Sequence, residues 1–236
     1  VSFIPPLLYA SVQSRRNEIF DTGYALDSNN YGKLGGFSMA VIVSIATIAA
    51  AFMADSLNAF MPETPEWFEQ AMSQIMDAPV WITLISVSVF APLFEEWLCR
   101  GLVLRGLLQK TGPVSAILVS AVFFALFFAV LHMNPWQAIP AFILGVLFGY
   151  VYYKTGSLKL TMLMHCVNNT FSVLMSRVPG LEDAETFMDI LSPWAYVCIF
   201  IACILMIASF LIILRGIPVN DEKMGGCDKV DALSII

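Results

Sequence analysis

The stretch APVWITLISVSVFAPLFEEWLCRGL, residues 78–102, decides the fold. Its first seventeen residues carry no charge, and it is longer than the roughly 20 apolar residues a helix needs to cross a bilayer. Yet Glu95, Glu96 and Arg100 stand in its second half. An ionisable side chain inside a span costs several kcal/mol, and its presence is by default a sign of function.

Five further runs satisfy the same length test approximately: Gly36 to Phe60, Pro113 to His132, Trp136 to Tyr153, Leu158 to Ser176 and Pro193 to Leu214. Val1 to about Val12 reads as the tail of another span, because the chain opens on Val rather than Met. None of these runs alternates apolar and polar residues at period two, so they are helices rather than barrel strands. The composition agrees. The chain has 236 residues, 58% hydrophobic and 13% charged, whereas a soluble domain carries about 25% charged residues. A compact chain of this size cannot bury so much apolar surface and keep a soluble exterior, which excludes a soluble enzyme, a secreted disulfide scaffold and a disordered chain. The predicted fold is an all-α, polytopic transmembrane helical bundle, with about seven spans visible and eight or so in the full chain. Residues 1–77 hold N-terminal spans and an outer loop, and residues 78–176 form a core of four helices. Residues 177–214 supply an outer loop and the last span, followed by a tail at 215–236.

The basic residues orient the bundle. Arg15, Arg16, Lys33, Arg105, Lys110, Lys154, Lys159, Arg215, Lys223 and Lys229 fall in alternate loops or the tail. The opposite loops hold Arg177 alone beside Glu63, Glu66, Glu69 and Asp77, and beside Glu182, Asp183, Glu185 and Asp189. This alternation predicts an integral, multi-pass cell membrane protein with a cytoplasmic C-terminus. The bilayer is then its first partner, and the net charge of −6 argues against nucleic acid. Trp67, Trp81, Trp136 and Trp194 near span ends suit interfacial anchors. Cys99, Cys166, Cys198, Cys203 and Cys227 lie in spans or the tail and read as buried fillers.

Helical geometry groups the polar residues within the spans. Glu96 and Arg100 are four apart and share a face, so they can pair. Glu95 lies about 100° further round and can address another neighbour. Phe128 and His132 share a face, as do His165 and Asn169, with Asn168 close by. Pro92 removes a backbone hydrogen bond one turn before Glu95 and invites a kink. Each group alone has a plainer reading: an ion pair as a packing device, a histidine at an interface, an asparagine as helix-helix glue. Both histidines of the chain, the paired carboxylates and Asn169 nevertheless fall within 75 consecutive residues, which points to one shared site.

In these motifs the chain resembles the CAAX prenyl endopeptidase and bacteriocin-processing family, also called the Abi or type II CAAX proteases. The family pattern is Glu-Glu-x-x-x-Arg, Phe-x-x-x-His and His-x-x-x-Asn or Asp. Here it reads Glu95-Glu96-Trp-Leu-Cys-Arg100, Phe128-Ala-Val-Leu-His132 and His165-Cys-Val-Asn-Asn169. Arg100-Gly-Leu-Val-Leu-Arg105 and Lys154-Thr-Gly-Ser-Leu158 are also family-like. The resemblance covers about residues 78–176 and implies a glutamate-dependent intramembrane endopeptidase without a cofactor. It implies Glu95 as the base that activates water, with His132 holding that water. His165 and Asn169 would supply oxyanion donors, and Glu96, Arg100 and Phe128 would orient the site. The substrate would be a peptide or a lipidated protein.

Chemistry agrees with these roles. A carboxylate in a low-dielectric pocket is a stronger base than one in water. Two preorganised donors on one helical face suit an oxyanion hole. On a simple residue count, Glu95 and His132 sit at different depths, so tilt or a kink at Pro92 is needed to bring them together. Glu95, His132 and His165 also make a zinc-hydrolase ligand set, although the usual His-Glu-x-x-His spacing is absent. A partner-binding immunity protein would also fit this composition, as would a transporter that relays protons through Glu95 and the histidines.

Overall fold

The computed structural model describes residues 12, 30–57, 60, 66–67, 70, 78–131, 135, 138–178 and 186–219. They form six long helices: α1 (Gly36–Asp55), α2 (Val80–Leu108), α3 (Pro113–Leu131), α4 (Ala138–Thr155), α5 (Leu158–Met175) and α6 (Pro193–Arg215). A single 3-10 turn, Phe187–Asp189, precedes α6. No strand occurs among the described residues. The predicted all-helical class is therefore the observed one.

The predicted stretch at 1–12, apart from Val12, lies outside the described residues, as do Arg15, Arg16, Glu63, Glu69, Asp77, Trp136, Glu182, Asp183, Glu185, Lys223, Cys227 and Lys229.

Among the described residues, five helices are long and apolar enough to cross a membrane: α1, α2, α3, α4 and α6. The fifth in chain order, α5, forms over 18 residues but falls short in apolarity. Lys159, His165, Asn168 and Asn169 are the reason. Lys159 is exposed near the start of the helix, whereas His165 is buried and Asn168 and Asn169 are half-buried against the neighbouring helices.

The exposed surface is apolar, with Val130 74% and Ile212 68% exposed. Surface of this kind is matched to lipid rather than water. Trp81 and Trp194 stand exposed one residue into α2 and α6. These are helix-end positions where an amphipathic ring meets the headgroups.

Inside, Met39 and Val43 of α1, Phe148 of α4, Met164 of α5, and Phe210 and Leu214 of α6 share one core. A second cluster joins Leu104 and Leu108 of α2 to Ile117 of α3 and Tyr152 of α4.

Polar contacts tie the loops at the two ends. Asn30 donates to the carbonyl of Pro218 at 2.6 Å, and Lys154 Nζ donates to the carbonyl of Arg215 at 3.4 Å. At the other end, Arg177 donates to the carbonyl of Ala78 at 3.0 Å, and Asp55 accepts from the Phe187 amide at 2.8 Å.

Helix α2 is not uniformly wound. Leu84–Phe90 and Trp97–Leu104 are π-helical, and Ala91–Glu96 between them is α-helical. Such widened turns are rare and gather at functional sites. Pro92 lies at the first junction and has no N–H to donate. The winding changes at Pro92, and Glu95 and Glu96 occupy the tighter segment between the two wide ones.

Candidate active site

The inward stripe of α2 runs through Thr83, Ser88, Pro92, Glu95, Glu96, Cys99 and Arg100, all buried. The pairing predicted from spacing is present. Arg100 Nη1 donates to Glu96 Oε1 at 2.6 Å, and both side chains are 0% exposed. The second arm of the guanidinium, Nη2, donates to the Gly145 carbonyl of α4 at 3.0 Å. Phe124 of α3 and Phe148 of α4 face the same cation, with centroids 4.6 and 5.4 Å from Cζ. A guanidinium can be buried this deeply because a carboxylate, a carbonyl and two aromatic faces replace its water.

His165 of α5 closes the cluster. Its Nδ1 lies 3.0 Å from Glu96 Oε1, and its Nε2 lies 3.5 Å from Glu95 Oε2. The neighbour that Glu95 addresses is therefore the same imidazole that Glu96 holds. The ring stands edge-on to Phe124 at 5.6 Å and within 6.0 Å of both Phe128 and Phe148. Phe128 thus joins the site as a wall of the histidine pocket. His132 lies outside the described residues, and with it the predicted water-holding contact and the third ligand of the zinc set. Among the described residues, no group of three His, Cys, Asp or Glu side chains is arranged to hold a metal ion.

Asn169, one turn beyond His165, donates from Nδ2 to the Val87 carbonyl at 2.9 Å, and its Oδ1 accepts from Asn168 at 3.2 Å. In the i→i−5 pattern of the π segment, the Val87 carbonyl would receive the amide of residue 92, but Pro92 has none. Asn169 therefore satisfies the acceptor that the proline leaves open, and this bond sets the register of α5 against α2. Asn169→Leu is expected to lower stability by about 1 kcal/mol, read as a fall in thermal unfolding temperature in detergent.

Gly145 is the feature that sequence inspection missed. A Cβ there would meet Ala121 Cα and Phe124 Cδ1 at 3.2 Å each. The close approach of α3 to α4 depends on a bare α-carbon, and it brings the Gly145 carbonyl within reach of Arg100. Gly145→Ala is expected to cost about 1–3 kcal/mol through overpacking, read as a fall in thermal unfolding temperature in detergent. The only sequence signal was the pair Gly145 and Gly149 four apart, on one face of an apolar helix.

Comparison with known proteins converges on the same segment. Residues 77–171 match the family described as Type II CAAX prenyl endopeptidase Rce1-like. Among curated proteins, the chain is similar to "Putative membrane peptidase YdiL" of Bacillus subtilis, 29% identical over 126 residues, covering 52% of this chain and 49% of that one. It is also similar to "Membrane-embedded CAAX protease MroQ" of Staphylococcus aureus, 29% identical over 96 residues, covering 39% of this chain and 38% of that one. The chain thus spans less than half the length of these relatives in its matched region. No solved structure gives a significant match. The segment that carries all three motifs, and every described member of the buried cluster, is thus the part matched by the Rce1-like type II CAAX prenyl endopeptidases.

Proposed function

We propose that the chain is an intramembrane endopeptidase that hydrolyses a peptide bond of a membrane-associated substrate with water activated by Glu95. One observation carries this reading: the His165 ring is held between Glu95 and Glu96, with Arg100 behind Glu96, and all four are 2% exposed or less. A purely structural ion pair needs neither the histidine nor a second carboxylate.

Geometry sets the roles. Arg100 and the His165 ring are the donors that face the two buried carboxylates, as buried charged groups require. His165 donates from Nδ1 to Glu96 and presents Nε2–H on the side of Glu95. As Glu95 takes a proton from water, the hydroxide attacks the scissile carbonyl. The Nε2 proton of His165 then stabilises the oxyanion, and the proton on Glu95 passes to the leaving amine. Asn169 commits one amide proton to Val87 and keeps a second for the same oxyanion. Arg100 and Glu96 touch no substrate and act as positioning residues. Water and peptide reach the site along α5, where every residue from 166 to 171 is only half-buried.

The substrate is a peptide or lipidated protein presented by the bilayer, with prenylated and bacteriocin-like chains as its two classes. The test is cleavage of a panel of prenylated and unprenylated membrane peptides by wild type beside Glu95→Gln in liposomes. Cleavage by wild type alone supports the reading, and equal cleavage by both proteins overturns it. Metal analysis runs in parallel: stoichiometric zinc with activity lost to chelators would replace the glutamate mechanism by a zinc one.

A further inference from the structure

In the π-helical segment Leu84–Phe90, the one buried residue is Ser88, at 2% exposure. Its apolar neighbours Ile85, Val89 and Phe90 are 45%, 44% and 52% exposed. Ser88 faces the protein, whereas Ile85, Ser86, Val89 and Phe90 all face outward. A helical hydroxyl ordinarily donates to the carbonyl four residues back, as Ser44, Thr47, Thr155 and Ser209 do. Ser88 Oγ instead has no hydrogen-bond partner among the described residues. The buried stripe advances from Thr83 to Ser88 by five residues, then to Pro92 by four and Glu95 by three. The wide turns therefore rotate Ser88 onto the same inward line as Glu95. The adjacent Val87 carbonyl is held by Asn169 of α5, so Ser88 lies at the α2–α5 seam.

We propose that Ser88 is a substrate-binding residue whose hydroxyl donates to a backbone carbonyl of the peptide laid along this seam. Seven residues of helix separate it from Glu95, about 10 Å of axis. That distance matches about three residues of extended chain. The carbonyl it binds is therefore about three residues from the scissile bond. This inference rests on the endopeptidase reading, since it needs a peptide in the cleft.

The experiment compares wild type, Ser88→Ala, Ser88→Thr and Glu95→Gln in liposomes. The probes are the membrane-peptide panel and versions of each cleaved peptide shortened stepwise from either end. For full-length peptides, Ser88→Ala raises KM about tenfold with kcat little changed, as expected when a ground-state hydrogen bond is lost. Ser88→Thr, which keeps the hydroxyl, restores the wild-type KM. Peptides cut back beyond the third residue on the contacted side are cleaved equally by wild type and Ser88→Ala. The thermal unfolding temperature of Ser88→Ala is unchanged or raised, because an unsatisfied buried hydroxyl has been removed. An unchanged KM with Glu95→Gln inactive overturns the Ser88 assignment alone. A lowered unfolding temperature together with an equal loss on all peptide lengths makes Ser88 a packing residue and also overturns it. Unimpaired cleavage by Glu95→Gln, or no cleavage by wild type, overturns the endopeptidase reading and this inference with it.

Discussion

Glu95→Gln is expected to lower peptide cleavage about 10³-fold, within the range for loss of a general base, while the protein stays folded. The substitution keeps the shape and one hydrogen-bond acceptor of the side chain, but its amide cannot accept a proton from water at neutral pH. The fold tolerates the change because Glu95→Gln leaves the Glu96–Arg100 pair, 2.6 Å apart in the wild-type chain, with both of its partners. Stability should therefore move by no more than about 1 kcal/mol. Single-turnover cleavage in liposomes and thermal unfolding in detergent measure the two halves. A variant that is both inactive and unfolded would make Glu95 a structural residue instead.

Arg100→Met should behave in the opposite way, as a stability lesion first. Removing the guanidinium leaves Glu96, at 0% exposure, without its cation. It also removes the bond to the Gly145 carbonyl and the contacts with Phe124 and Phe148. Breaking a buried pair from one side costs about 3–5 kcal/mol, because a charge remains in a medium that cannot solvate it. That is a large fraction of the roughly 5–15 kcal/mol by which proteins are stable. Glu96→Gln combined with Arg100→Met should recover most of the loss, since it removes both charges together. The double variant should still cleave poorly, because His165 has lost the carboxylate that orients it at Nδ1. A full thermodynamic cycle of thermal unfolding checks the coupling. Additive losses in the two single variants would mean that the pair contributes packing rather than charge compensation.

The helices and the Glu96–Arg100 pair of the candidate site were legible in local pattern. Runs of apolar residues locate the spans, and the observed ends differ from the expected ones mainly at helix termini. Residue 102 was expected to close the span that begins at residue 78, but α2 continues to Leu108, with Arg105 and Leu108 both buried within the bundle. The Glu96–Arg100 bond was predictable from a spacing of four on one helix. Ser88 was not, since a regular helical count does not anticipate a turn of five residues.

What the sequence determined by itself is the all-helical membrane class, the order of the helices, the Glu96–Arg100 pair and the three motifs. Apolarity is additive along the chain and the helical period is local, so no knowledge of other helices is needed for any of these. The tertiary structure alone decided that His165, 69 residues from Glu96, sits between both carboxylates. It also decided that Gly145 offers its carbonyl to Arg100 and that Asn169 takes up the Val87 carbonyl opened by Pro92. Those contacts depend on the crossing and register of α2, α3, α4 and α5. Close packing at a bare glycine and one buried hydrogen bond set that register, and no period within a single helix encodes it.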